Sequence, residues 1–159
     1  MTNNTLSNQS IGRVRKHTAS SVNQTIDEKT AARVREYASK PAAEISEQIQ
    51  HLESEWDTER VLEANASVLA FTGLMLGIFV NANWFWLTGV VLPFLFQHAV
   101  QGWCPPLPVI RRLGTRTKGE IDQEIYALKI LRGDFNNLSV ENDALGRANQ
   151  ALQAVGIGE

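Results

Sequence analysis

From Ala64 to Ile110 the chain runs 47 residues without a single Asp, Glu, Lys or Arg, and every charged residue lies before or after that stretch. A helix in water needs a polar outer face, and a chain of 159 residues is too small to cover two consecutive charge-free helices from all sides. The trio Asn81-Ala82-Asn83 is turn-forming and divides the run into Ala64 to Val80 and Trp84 to about Trp103. Each half approaches the roughly 17 to 25 residues that cross the hydrocarbon core as a helix. The expected fold is an all-α membrane protein. A two-helix transmembrane hairpin spans 64–103 with its turn at 81–83, and amphipathic cytoplasmic helices stand on both sides.

The aromatic residues fit a bilayer. Trp84, Phe85 and Trp86 follow the turn directly and Trp103 closes the second half, which are belt positions at the two membrane faces. All Lys and Arg lie outside the hairpin, with Arg60 before it and Arg111, Arg112, Arg116 and Lys118 after it. The positive-inside rule then places both termini in the cytoplasm and the turn outside, a multi-pass topology. The net charge of -2 and pI near 5.9 give no basic excess for nucleic acid. One cysteine, Cys104, excludes an intrachain disulfide, and the N-terminus lacks the charged-then-apolar pattern of a secretory signal.

The flanks read as follows. Residues 1–24 are rich in Asn, Ser and Thr and are expected to form a disordered tail, with Arg13, Arg15 and Lys16 solvated or near anionic lipid heads. Over 25–63, cytoplasmic helices are expected. Thr25-Ile26-Asp27-Glu28 has capping-box form, with a helix running on to Ser39, and Pro41 is a joint before the next helix. Ile45, Ile49, Leu52 and Trp56 share one face of that second helix. No Gly or Pro occurs from Ala42 to Thr72, which predicts one helix on the order of 60 Å from Pro41 to Val80. Over 104–159, Thr117-Lys118-Gly119-Glu120 repeats the capping-box form before a stripe of Ile121, Ile125 and Leu128 that ends by Gly133. A last amphipathic segment, about 139–155, uses Ala144, Leu145, Ala148 and Leu152. The two isoleucine-leucine stripes are expected to pack together beneath the bilayer, within one chain or between chains.

Within the spans, Gly73 and Gly77 make a small-x-x-x-small pattern that Ala66 and Ala70 extend. Small residues let backbones approach closely, either to the partner helix of the hairpin or to another copy. Pro93 frees the carbonyl of Gly89, with the Thr88 hydroxyl as a nearby donor. Gln97, Gln101 and Cys104 share a face with His98 beside them, and Asn65 on the first helix comes level with Ala99. Polar side chains at this depth are costly unless paired, so Asn65, Gln97, His98 and Gln101 are expected to hydrogen-bond as glue between helices rather than to form a permeation or redox site. Cys104 sits at the membrane edge, where the following prolines end the helix. One histidine six residues away falls short of the usual three or four metal ligands. No metal or cofactor site is expected, and no nucleophile, base and oxyanion donor converge.

The stretch from Glu55-Trp56-Asp57 to Gly133-Asp134-Phe135, including His98, Gly102-Trp103-Cys104-Pro105 and Ala127-Leu128-Lys129, resembles the YgaP-like family of small bacterial inner-membrane hairpin proteins. The resemblance implies a two-helix membrane unit that is able to dimerise and is often fused to other modules. Nothing in the chain resembles the sulfur-transferring rhodanese domain found in that family, so sulfurtransferase activity is not implied. The expected function is a non-enzymatic membrane anchor or scaffold subunit that self-associates or joins a larger complex. The alternatives are a sulfur or redox relay at Cys104 and an oligomeric pore lined by Gln97, His98 and Gln101.

Overall fold

The computed structural model of the protein describes residues 12–136 together with Gly146 and Gln150, and among the described residues it is all-helical. Within residues 12–136, seven α-helices follow in order: α1 (Arg13–Lys16), α2 (Ser20–Tyr37), α3 (Ala42–Ser54), α4 (Thr58–Phe79), α5 (Phe85–Gln101), α6 (Leu107–Arg112) and α7 (Lys118–Arg132). A short 3-10 turn, Ala82–Trp84, joins α4 to α5.

Helices α4 and α5 lie against one another in opposite directions, since Thr88 reaches Ala70 while Phe85 lies over Gly77. Among the described residues, the one helical stretch long and apolar enough to cross a membrane runs through α4. Helix α5 has 17 residues and no Asp, Glu, Lys or Arg.

Beneath this pair, α2, α3 and α7 form a helical base. Ile45, Ile49 and Leu52 of α3 pack on Ile121, Ile125 and Leu128 of α7 in one buried cluster, with Tyr37 against it. The two stripes therefore meet within a single chain. Trp56, assigned to the same face from its spacing, is 56 % exposed and takes no part. The helix has already ended at Ser54, and the indole lies instead under the Arg60 guanidinium, 5.3 Å from the ring centre.

That ending also corrects the expectation of one continuous helix from Pro41 to Val80. The chain turns extended at Glu55, and Asp57 restarts it by accepting a hydrogen bond from the Arg60 backbone N–H at 2.7 Å. Absence of Gly and Pro permits a long helix but does not compel one when a good N-cap residue lies in its path. The new start is held in place because the backbone N–H of buried Thr58 donates to the Arg116 carbonyl at 2.8 Å.

The N-terminal expectations also change. Residues 13–16 and 20–24 are helical, with a turn at 17–19, where the composition of 1–24 predicts a disordered tail; positions 1–11 of that stretch lie outside the described residues, and Thr25 lies inside α2, its hydroxyl donating to the Ser21 carbonyl. The capping box at Thr25 is not used, because the chain reverses earlier, where Thr18 donates to the Val14 carbonyl and Asn23 to the Arg15 carbonyl. The second capping box does form. Thr117 accepts from the Glu120 N–H, and Glu120 accepts from the Thr117 N–H at 2.8 Å. Thr117→Ala is expected to cost about 1 kcal/mol in a detergent-phase denaturant melt. The amphipathic segment of Ala144, Leu145, Ala148 and Leu152 lies outside the described residues, of which Gly146 and Gln150 are helical.

Candidate functional site

The junction between the helical pair and the base is built around α1. Its Val14 packs with Leu62 of α4, Cys104 and Leu107, with Trp103 and Ile110 against them. Arg13 donates to the Ala99 and Val100 carbonyls at 2.8 and 3.0 Å, which places a cation on the last-turn carbonyls that α5 leaves without helical partners. Helix α5 stops at Gly102, in the left-handed region at φ 74°, and not at the prolines, which open α6 instead. A Cβ at Gly102 would lie 2.4 Å from the Arg13 Cβ, so glycine is required there by conformation and by contact.

Below the junction lies a network of arginines and glutamates that the sequence reading missed. Glu120 and Glu124 stand one turn apart on α7, and each is bracketed by arginines from elsewhere. Glu120 takes both guanidinium ends of Arg111 at 2.8 Å and Arg15 at 2.8 Å; Arg15 continues to Asp27. Arg111 uses all five of its donors, the remainder going to Thr18, Asn23 and the Thr115 carbonyl. Glu124 takes Arg33 at 2.7 and 2.8 Å and also Arg116, which in turn pairs with Glu55. Burial by itself would push both carboxyls up. The hydrogen bonds from Arg111 and the Thr117 backbone outweigh it at Glu120, and those from Arg33 and Arg116 at Glu124, so both are held below the ordinary glutamate value.

Arg111 and Arg116, counted in the sequence only as topology charges, are thus the pins that tie α2, α3 and α7 together. A signal was present. Glu120 and Glu124 at i and i+4 would repel if both were solvated, and they sit beside the buried Ile121 and Ile125.

In the helical pair the small residues face inward. A Cβ at Gly73 would meet Thr88 Oγ1 at 2.6 Å and its backbone N at 3.0 Å, and one at Gly77 would meet the Phe85 ring at 2.6 Å. Thr88 donates to the Ala70 carbonyl at 2.9 Å, so its hydroxyl serves helix contact and not the Gly89 carbonyl freed by Pro93. The glycine motif is occupied within the chain.

No family model, curated protein or solved structure matches the chain. Its own geometry therefore carries the functional argument, beginning with the polar residues near the end of the pair. Asn65 does not reach Gln97, His98 or Gln101. Its amide donates back to the Val61 carbonyl at 2.7 Å on its own helix, which satisfies the group locally and removes the need for a cross-helix partner. Gln97 pairs along α5 with Gln101 at 3.4 Å. Among the described residues, His98 Nδ1 is the one buried side-chain nitrogen or oxygen without a hydrogen bond. Asn65, His98 and Cys104 do come together around one small apolar cavity of about 170 Å³, lined also by Leu62, Leu69 and Phe94.

Cys104 is 3 % exposed, and burial pushes its thiol up from the ordinary value, with the Leu107 backbone N–H opposing weakly. Burial therefore lowers both the access and the thiolate fraction that exchange or oxidation needs. A water-soluble maleimide is expected to label native Cys104 at least about ten times more slowly than the denatured chain, followed by mass shift. Equal rates would restore the thiol as a candidate reactive group. Among the described residues no three His, Cys, Asp or Glu side chains cluster as a metal site would require.

Proposed function

We propose that the chain is a non-enzymatic membrane anchor: a transmembrane helical hairpin carrying a rigid, ion-paired cytoplasmic base that presents a surface to other copies or to a larger membrane complex. One observation carries the reading. Only 17 % of the apolar window running through α4 is buried within the protein, whereas a core helix of a soluble protein would be mostly covered. Val68, Phe71, Ile78 and Phe79 of α4, with Trp86 and Phe96 of α5, point outward as large exposed apolar side chains. Water makes that arrangement unfavourable and hydrocarbon does not. With the 3-10 turn included, the second arm runs from Ala82 to Gln101, which approaches the length a tilted span needs. The family resemblance supports a bacterial inner membrane as the location, and the distribution of Arg60, Arg112 and Lys118 supports a topology with both termini in the cytoplasm.

The small-residue face is filled by the chain's own partner helix, so association with other copies would use the exposed outer faces or the base. Burial of Cys104 argues against the thiol relay, as above.

Expressed without a fusion, the protein is expected to sediment with membranes and to stay there through alkaline carbonate washing. Recovery in the supernatant without detergent or chaperone would remove the proposal. Mass measurement in nanodiscs then tests the scaffold part: a monomer that captures no membrane partner would leave an anchor and no scaffold.

A further inference from the structure

We propose that the base holds a phosphate group, from an anionic lipid headgroup or a soluble phosphate, in the cleft between α2, α3 and the loop from α6 to α7. This cleft, about 450 Å³, is lined by Lys29, Arg33, Arg111, Arg112 and Arg116 against the single carboxylate Glu55. The chain as a whole is net negative, so this concentration of cations is local and not a reflection of composition.

The cations divide into three kinds. Arg111 and Arg116 are buried and spend their guanidinium groups on Glu120, Glu124 and Glu55, so they form the floor and fix its shape. Arg33 is held through Nε and Nη2 by the fully buried Glu124, which leaves Nη1 as a pre-positioned donor on a side chain 34 % exposed. The side chains of Lys29 and Arg112 are exposed and make no hydrogen bond or ion pair among the described residues. Two unneutralised cations and one rigid guanidinium edge suit a doubly charged or diester phosphate, which Arg and Lys both recognise.

The location favours a headgroup as one source. Helix α6 follows the end of α5 after only 102–106, and the cleft is lined on that side by Leu113, 79 % exposed beside Arg112. An apolar side chain next to a cation is what the headgroup layer accommodates. This inference goes beyond the anchor reading, and the inorganic-phosphate titration is repeated on the full chain in mild detergent, where it does not depend on that reading.

The test uses the full chain in neutral phosphatidylcholine nanodiscs titrated with inorganic phosphate, and in parallel nanodiscs doped with phosphatidic acid. Binding is read by the phosphorus resonance and by lipid retained in native mass spectrometry. A Lys29→Gln/Arg112→Gln double variant is expected to weaken binding at least about tenfold, and a Lys16→Gln/Lys118→Gln variant of equal charge change is expected to stay within about twofold. Helical circular dichroism checks that both fold. Retention of phosphatidic acid with no response to inorganic phosphate supports a headgroup; the reverse supports a soluble ligand. Equal loss in the two variants would reduce the effect to general charge attraction, and no saturable binding of either probe would overturn the proposal.

Discussion

Glu120→Ala is expected to lower the stability of the helical base by about 3–5 kcal/mol, the usual cost of removing one member of a buried ion pair. The reason lies in what is left behind. Arg111 is fully buried, and its guanidinium would keep Thr18, Asn23 and the Thr115 carbonyl but lose both charge-bearing bonds. The Thr117 N–H would lose its acceptor as well. Arg15→Gln should cost far less, because Arg15 shares its charge with the half-exposed Asp27 and stands nearer to solvent. Unfolding by denaturant in mild detergent, followed by helical circular dichroism, measures both. Equal effects would mean that Arg111 is not held as described.

The same carboxylates make stability depend on pH in a definite direction. Glu120 and Glu124 are depressed in the folded state, so their contribution is present in full above the ordinary glutamate value of 4.5 and fades as pH falls below it towards their folded values. In that window the unfolded chain takes up protons that the folded chain refuses. The gap in stability between native protein and Glu120→Ala should therefore narrow on acidification below 4.5.

The sequence shows the parts of this protein that obey one periodicity or one solvent rule, and conceals those that depend on distant charges meeting. The charge-free run, the turn at Asn81, the Thr117 cap and the two stripes headed by Ile45 and Ile121 are all local patterns. Arg111 and Glu120 are near in sequence, yet Arg15, Arg33 and Glu55 come to the same network from across the chain, and no spacing announces that. Asn65 misled for a related reason. Equal depth in a hairpin brings two polar groups level, but for Asn65 the Val61 carbonyl four residues back is within reach on its own helix.

Gly73→Leu is expected to force α4 and α5 apart, with an effect larger than that of Gly77→Leu. At Gly77 the obstacle is the Phe85 ring, a half-exposed side chain that can rotate outward. At Gly73 it is Thr88, whose backbone N lies 3.0 Å from the site of the new Cβ and whose hydroxyl is pinned to the Ala70 carbonyl. Neither gives way without moving the helix. Overpacking of this kind costs about 1–3 kcal/mol where side chains can adjust, and more where backbone must. Spin labels at the outward-facing Val68 and Val90 should report a wider separation in the Gly73 variant in nanodiscs, with a smaller change for Gly77. An unchanged label distance together with separation of copies from one another would show instead that the glycine face serves association between chains.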